Sequence, residues 1–470
     1  MDYEDDSLWY DDEVLNSVNR YEEMLNKRTR CFFDVHEFED IIDYYLDSRN
    51  VAKATIAARH ANSIYPTATS IKLRMAEILI DKSQPAKALN LLNKLGHLEA
   101  DDYAVHLLRG SALNMMGKPR EAQRHFEKAI SMADENKAAV LYNIAISFEN
   151  INQYRVALKY FKKVQLLEPE NFFLHYDLAY CYERLDDPNK SIEHYQKFLD
   201  EDPFCEHVWY NLGIVYNKID ENEKALEAYD YAIAISPKYS SAHFNKANTL
   251  SLLDLNNQAI ASYLDFLEIE PDNASAFCYI GECCERLEMY DLASMYYLRS
   301  IILDDKNADA WFGLGVIKAM DGFHEQAIED FLIALNICND NPEYLFSLAT
   351  SYAYLEDFDK AFDTFKKIIQ LETENIYVWD AYSQVYANQG NYDAALEILS
   401  EAMRHNPEEG LLQYRVAAYL LLNDKHLEGI KFLENTLEKF PEDYSCFFDV
   451  FEDDYCNEDV NALINKYHNL

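Results

Sequence analysis

Asn143, Asp177, Asn211 and Asn245 stand thirty-four residues apart, and each follows a ring: Tyr142, Tyr176, Tyr210 and Phe244. A side-chain amide offers both a donor and an acceptor. A column of amides at one spacing can bond the main chain of an extended peptide while ignoring that peptide's side chains. Rings beside the amides add apolar contact or stacking. Arg184 and Lys218 fall seven residues after Asp177 and Asn211, at one further shared position of the same pattern. The chemistry these residues suggest is peptide capture, not bond breaking.

Other residue combinations fall short of catalysis. Gly313-x-Gly315 is a fragment of a dinucleotide fingerprint without a preceding strand, and Gly117-Lys118 runs into Pro119 where a phosphate loop needs Ser or Thr. His36-Glu37 and His324-Glu325 begin like a zinc-protease motif, but no histidine follows at the fifth place. No G-x-S-x-G occurs. The carboxylates are scattered, and none pairs off as an acid/base couple. Nine cysteines form no CxxC and read as small apolar residues. The expectation is a protein without catalytic residues, metal or cofactor.

The bulk numbers narrow the partners. A formal charge of −41 over 470 residues argues against nucleic acid and anionic membrane surfaces, and favours basic or neutral protein partners. No apolar run reaches membrane-spanning length. The first residues, MDYEDDSLWY, are acidic and carry no basic-then-apolar leader pattern. Together with the unpaired cysteines, this points to a reducing, cytoplasmic setting.

Something must hold the amide column in register. Units of 34 residues, with one extra residue at Lys137, begin at 35, 69, 103, 138, 172, 206, 240, 274, 308, 342, 376 and 410. In that frame position 20 is small in all twelve units, from Ala54 to Gly429, and position 8 is small in all but one. Position 24 is mostly a ring, as at Phe126, Tyr195, Tyr229 and Phe331. Apolar residues at positions 4, 7, 8 and 11 fall on one face of a helix, and those at 17, 20, 24 and 27 on one face of a second. Small residues at 8 and 20 let the two axes approach, and the ring at 24 fills the space beside them. A turn near position 15 separates the helices, and proline at position 32 ends the second.

These columns closely resemble the tetratricopeptide repeat (TPR) pattern W-x2-L-G-x2-Y, A-x3-F, P. Trp209, Leu212, Gly213, Tyr216, Ala225, Tyr229, Ala232 and Pro237 match it in one unit. The resemblance implies an all-α solenoid, a right-handed superhelix of antiparallel helix pairs whose first helices line a concave groove. The Asn column is then similar to the asparagine ladder in the TPR superhelix of O-linked N-acetylglucosamine transferase, which grips a peptide backbone. It matches at Asn143, Asn211 and Asn245, with Asp177 a variant. The cationic clamp by which other TPR domains hold a chaperone's C-terminal carboxylate is not expected, because no unit has Lys or Arg at position 2 or 5.

The predicted organisation is an acidic N-terminal segment with a capping amphipathic helix (1–34), twelve repeats (35–443) and C-terminal capping helices (444–470). The predicted function is a non-catalytic scaffold that holds an extended partner segment in its groove. The competing reading is a self-assembling protein that forms homo-oligomers through its ends or its convex face.

Overall fold

Residues 12–27, 31–48, 50–95, 102–451 and 458–468 are described by a computed structural model, and among them all regular structure is helical. The acidic residues 1–11 lie outside the described residues. The chain divides into two units, Met1–Pro237 and Lys238–Leu470. The first holds α1 (Asp12–Lys27) and then the pairs α2 (Val35–Asp47) and α3 (Val51–Ile64), α4 (Thr69–Asp81) and α5 (Pro85–Leu92), α6 (Tyr103–Met115) and α7 (Pro119–Met132), α8 (Lys137–Glu149) and α9 (Tyr154–Leu167), α10 (Leu174–Arg184) and α11 (Pro188–Glu201), and α12 (Glu206–Lys218) and α13 (Asn222–Ile235). The second holds the pairs α14 (Ser240–Leu252) and α15 (Asn256–Ile269), α16 (Ala274–Arg286) and α17 (Tyr290–Leu303), α18 (Ala308–Met320) and α19 (His324–Ile337), α20 (Pro342–Tyr354) and α21 (Phe358–Leu371), α22 (Ile376–Asn388) and α23 (Tyr392–His405), and α24 (Gly410–Leu422) and α25 (His426–Lys439). The short α26 (Ser445–Phe448) and then α27 (Glu458–His468) follow. The architecture is an all-α solenoid.

The small columns decide how each pair closes. Ala157, Ala225, Ala259 and Ala361, all at position 20, are fully buried. Opposite them, Gly213 lies so close to its partner helix that a Cβ there would come within 2.5 Å of the Tyr229 ring. The ring at position 24 therefore packs flat on the backbone of the first helix, and any added carbon displaces it. The turn inside each pair needs one left-handed residue. Asp186 takes it at φ 63°, and the next amide, Asp187 N–H, reaches back to the Tyr182 carbonyl at 3.0 Å. Aspartate, asparagine or glycine fill most of these turn positions because their steric cost there is lowest.

Successive pairs are tied by position 4. The Trp209 indole N–H donates to the Pro203 carbonyl at 2.9 Å, and Trp311 and Trp379 make the same bond to Asp305 and Thr373. Gln413 replaces tryptophan and keeps the bond, to Pro407 at 3.1 Å. First helices of neighbouring pairs also approach one another directly: α4 with α2 and α6, α6 with α8, and, in the second unit, α18 with α16 and α20. The first-helix side is thus where the pairs crowd together.

Both ends carry apolar covers. Val18, Tyr21 and Met24 of α1 are buried in one core with Phe38 and Ile41 of α2. At the other end Phe447, Val460 and Ile464 are buried with Tyr414, Leu421 and Leu433. Arg415 is buried there too, paired to Asp380 at 2.8 Å and donating to the Cys446 carbonyl at 3.2 Å.

Candidate functional site

The ring-and-amide column of the first unit runs along α8, α10 and α12. Tyr142, Tyr176 and Tyr210 are half-buried. Each leans on the position-24 ring of its own pair: Tyr142 on Phe161 with centroids 5.6 Å apart, Tyr176 on Tyr195 at 6.0 Å, and Tyr210 on Tyr229 at 6.0 Å. Packing fixes the ring and leaves the hydroxyl at its far end. That hydroxyl meets the next member of the polar column. Tyr142 donates to the Asp177 carboxylate, and the Asn211 amide donates to the Tyr176 oxygen at 3.1 Å. Two rungs are therefore closed across neighbouring pairs.

Asn143 differs for a reason visible one pair earlier. The residue equivalent to those tyrosines on α6 is Leu107, which has no hydroxyl. Asn143 is exposed, and its amide has no hydrogen bond among the described residues. Both its donor and its acceptor remain available. Asn211 has spent one amide hydrogen on Tyr176.

Asp177 occupies the column where its neighbours carry asparagine. Burial pushes its carboxyl up to about 7, against the opposing pull of the Tyr142 bond. Glu149, at the end of α8, is also pushed up to about 7, first by burial and then by the Asp177 charge. The Cys181 sulfur lies 3.8 Å from Glu149 Oε2, and burial with these acids raises its thiol far above the usual range. A thiol held protonated is a poor nucleophile. The cluster is a half-buried acidic patch whose two carboxyls are held toward protonation.

The two cations turn to the edge formed by the hairpin turns. Arg184 is exposed, donates to the Tyr154 hydroxyl at the start of α9 and lies 5.5 Å from its ring centroid. Lys218 pairs with Asp186, the left-handed turn residue of the preceding pair, at 2.6 Å. In the second unit Arg286 makes the corresponding reach to the Ser251 carbonyl at 3.1 Å. These three side chains thus reach back to the preceding pair, Lys218 to its turn residue.

On α14, in the second unit, Phe244 packs on Phe266 at 5.0 Å and on Tyr263 at 5.8 Å. The Asn245 carbonyl accepts from the Thr249 hydroxyl at 2.8 Å. Cys181 is buried, as the sequence reading of the cysteines expected. Sequence reading missed Glu149, which falls at position 12, on the groove face of the frame, but spacing alone carries no sign that its carboxyl is half-buried. Among the described residues no cluster of three or more His, Cys, Asp or Glu could hold a metal, and no helix is long and apolar enough to cross a membrane.

The family models name one family along the chain. Tetratricopeptide repeat models match residues 142–204, 176–240, 240–273 and 353–418, and a tetratricopeptide repeat-like domain matches 48–152. Together they span more than half of the chain. A BBSome complex member, BBS4 from Bos taurus, is 25% identical over 146 residues, which is 31% of this chain and 28% of that protein. A TPR repeat-containing protein from Methanocaldococcus jannaschii, MJ1428, is 23% identical over 182 residues, with 32% of each chain covered. The chain thus spans about a third or less of the curated relatives it matches. Among solved structures, MamA aligns at 25% identity and a TM-score of 0.35, covering 37% of this chain and 94% of its own. The APC/C hetero-tetramer Cut9–Hcn1 aligns at 15% identity and 0.42, covering 87% and 94%.

Proposed function

This chain belongs to the tetratricopeptide repeat family, and from that premise we propose that it is a non-catalytic protein-binding scaffold that holds an extended partner segment along α8, α10 and α12. The observation that carries the reading is Asn143. It presents an unspent amide on the side where first helices crowd together, flanked by half-buried rings. An amide that bonds nothing among the described residues can take a main-chain N–H and C=O. Asn211 extends the column on α12, with Asp177 as its acidic variant, and Asn245 holds the same repeat position on α14 of the second unit. The half-buried acids Asp177 and Glu149 favour a basic or neutral segment over an acidic one. Arg184 and Lys218 support the edge of this face through their reach back to the preceding pairs.

The test is affinity capture from cytosol with the full chain and with the variant Asn143→Ala/Asn211→Ala/Asn245→Ala. Proteins held by the native chain and lost by the variant support the groove. Undiminished capture by a variant that keeps its helical circular dichroism rejects it.

A further inference from the structure

The outward position of the second helices carries a signal of its own. In the 34-residue frame, position 25 is polar in nine pairs, for example Arg59, Glu127, Lys162, Asp230, Lys366 and Glu434. In three consecutive pairs of the second unit it is leucine. Leu264 on α15, Leu298 on α17 and Leu332 on α19 are 42%, 47% and 47% exposed. Along α17 the stripe continues through Met295 and Ile302, at 66% and 73%. The spacing of Met295, Leu298 and Ile302, three and four residues, is one helix face. α17 already buries Ala293 and Tyr297 on its other side, so it is apolar on both faces where a surface helix should be polar on one.

We propose that the outer faces of α15, α17 and α19 are a docking surface for an amphipathic helix of a partner protein, apolar on one side and flanked by lysine or arginine. Helices dock against such stripes by presenting apolar anchors at matching three- and four-residue intervals. The flank is set by charge. Asp265, Glu268, Asp291, Glu325 and Glu329 are exposed around the stripe, and none of them is in an ion pair among the described residues. The only lysine or arginine on the three helices is Arg299, which sits 5.8 Å from the Phe277 ring. A second copy of the chain fits less well. The leucines, Leu292, Met295, Ile302 and Ile333 expose on the order of 600 Å² of apolar side chain, at the top of the range for a monomer's largest patch. That is apolar area enough for the core of a standard interface, but two chains of charge −41 repel, and the acidic rim would meet its own copy.

The test uses the full chain and a labelled fourteen-residue helical peptide of leucine and lysine with all leucines on one face, read by fluorescence anisotropy at physiological salt. Two further probes are a scrambled peptide of the same composition and the leucine–glutamate analogue. The variant is Leu264→Gln/Leu298→Gln/Leu332→Gln, which places polar residues where nine other pairs already have them. The expected result is binding of the amphipathic lysine peptide at least tenfold tighter than either other probe, with at least tenfold loss in the variant at unchanged circular dichroism. Equal binding by native chain and variant, or by amphipathic and scrambled peptides, overturns the proposal. So does tight binding of the glutamate analogue, which removes the acidic rim from the argument. A dimer in light scattering that the variant dissolves assigns the surface to a second copy instead.

Discussion

Asp177→Asn tests the half-buried acidic patch most directly. The native carboxyl is pushed up to about 7 by burial, whereas an unfolded aspartate titrates near ~3.9. The sign follows from proton counting. Between those values the folded chain binds the extra proton, so its stability falls as pH rises from about 4 to about 7. Each unit of separation is worth about 1.4 kcal/mol, which sets a ceiling of about 4 kcal/mol at pH 8. Asp177 is only partly enclosed, and its charged form accepts a stronger bond from Tyr142 than an amide does. Those offsets leave about 1–2 kcal/mol gained by asparagine at pH 8, and about 0.5 kcal/mol or less at pH 4. Asparagine keeps an acceptor for the Tyr142 hydroxyl and matches Asn143, Asn211 and Asn245. The assay is hydrogen exchange of peptides from α10 in the full chain, corrected for intrinsic rates at each pH. Protection should rise about tenfold or more in the variant at pH 8, and hardly at all at pH 4. The Glu149 titration should also move down, because the Asp177 charge helps hold it up. Equal or lower protection at pH 8 would refute the reasoning, since it would mean the carboxylate is comfortable where it stands.

The remaining perturbations probe the scaffold. Gly213→Ala sets a Cβ 2.5 Å from the Tyr229 ring and should cost about 1–3 kcal/mol in urea unfolding, with protection lost mainly in α12 and α13. Glu288→Gly relieves a left-handed residue at φ 59°; strain relief of about 1–2 kcal/mol less the entropy given to the unfolded chain leaves a gain of about 0.5–1 kcal/mol, read as a higher melting temperature. Gly322→Ala, with φ 82° and nothing within 4 Å of the new Cβ, should lose about 1 kcal/mol in the same melt through backbone strain alone. Arg415→Met leaves the half-buried Asp380 without its partner, and should cost about 2–4 kcal/mol and release α24 to α27 to faster exchange.

The pair geometry was legible in the sequence because every unit solves the same local problem. A small residue at positions 8 and 20 and a ring at 24 can mean only a close helix contact with one filler, and Gly213 against Tyr229 is that contact. The turn was legible for the same reason, through Asp186, Asp220 and the glycines. The state of the polar column was not. Asn143 and Asn211 hold the same place in their repeats, yet one is free and the other bonded. The difference lies in Leu107 against Tyr176, residues of preceding pairs, and it depends on how far apart two first helices stand. No count along one unit contains that distance. Arg184 and Lys218 illustrate the same point, since their long stems reach a neighbouring pair and spacing does not fix that direction. The leucines of position 25 were legible, but only by comparing one outward column across all units.

A consequence follows for how such a face can act. Where a tyrosine of one pair is bonded to the polar residue of the next, a peptide that competes for that residue must loosen the contact between pairs. Asn211 is in that situation with Tyr176, and Asp177 with Tyr142. Asn143 is not, so under the proposed function a peptide would engage it at no cost to stacking. Entry of a bound segment is therefore expected at α8, with Asn211 joining only as its bond to Tyr176 is exchanged. Tyr176→Phe separates the two roles. It frees the Asn211 amide without touching the ring, and should tighten peptide capture while weakening the packing of α10 on α12 by about 1 kcal/mol. Tighter capture without the stability loss, or the loss without tighter capture, would show that the rung serves stacking or binding alone and does not couple them.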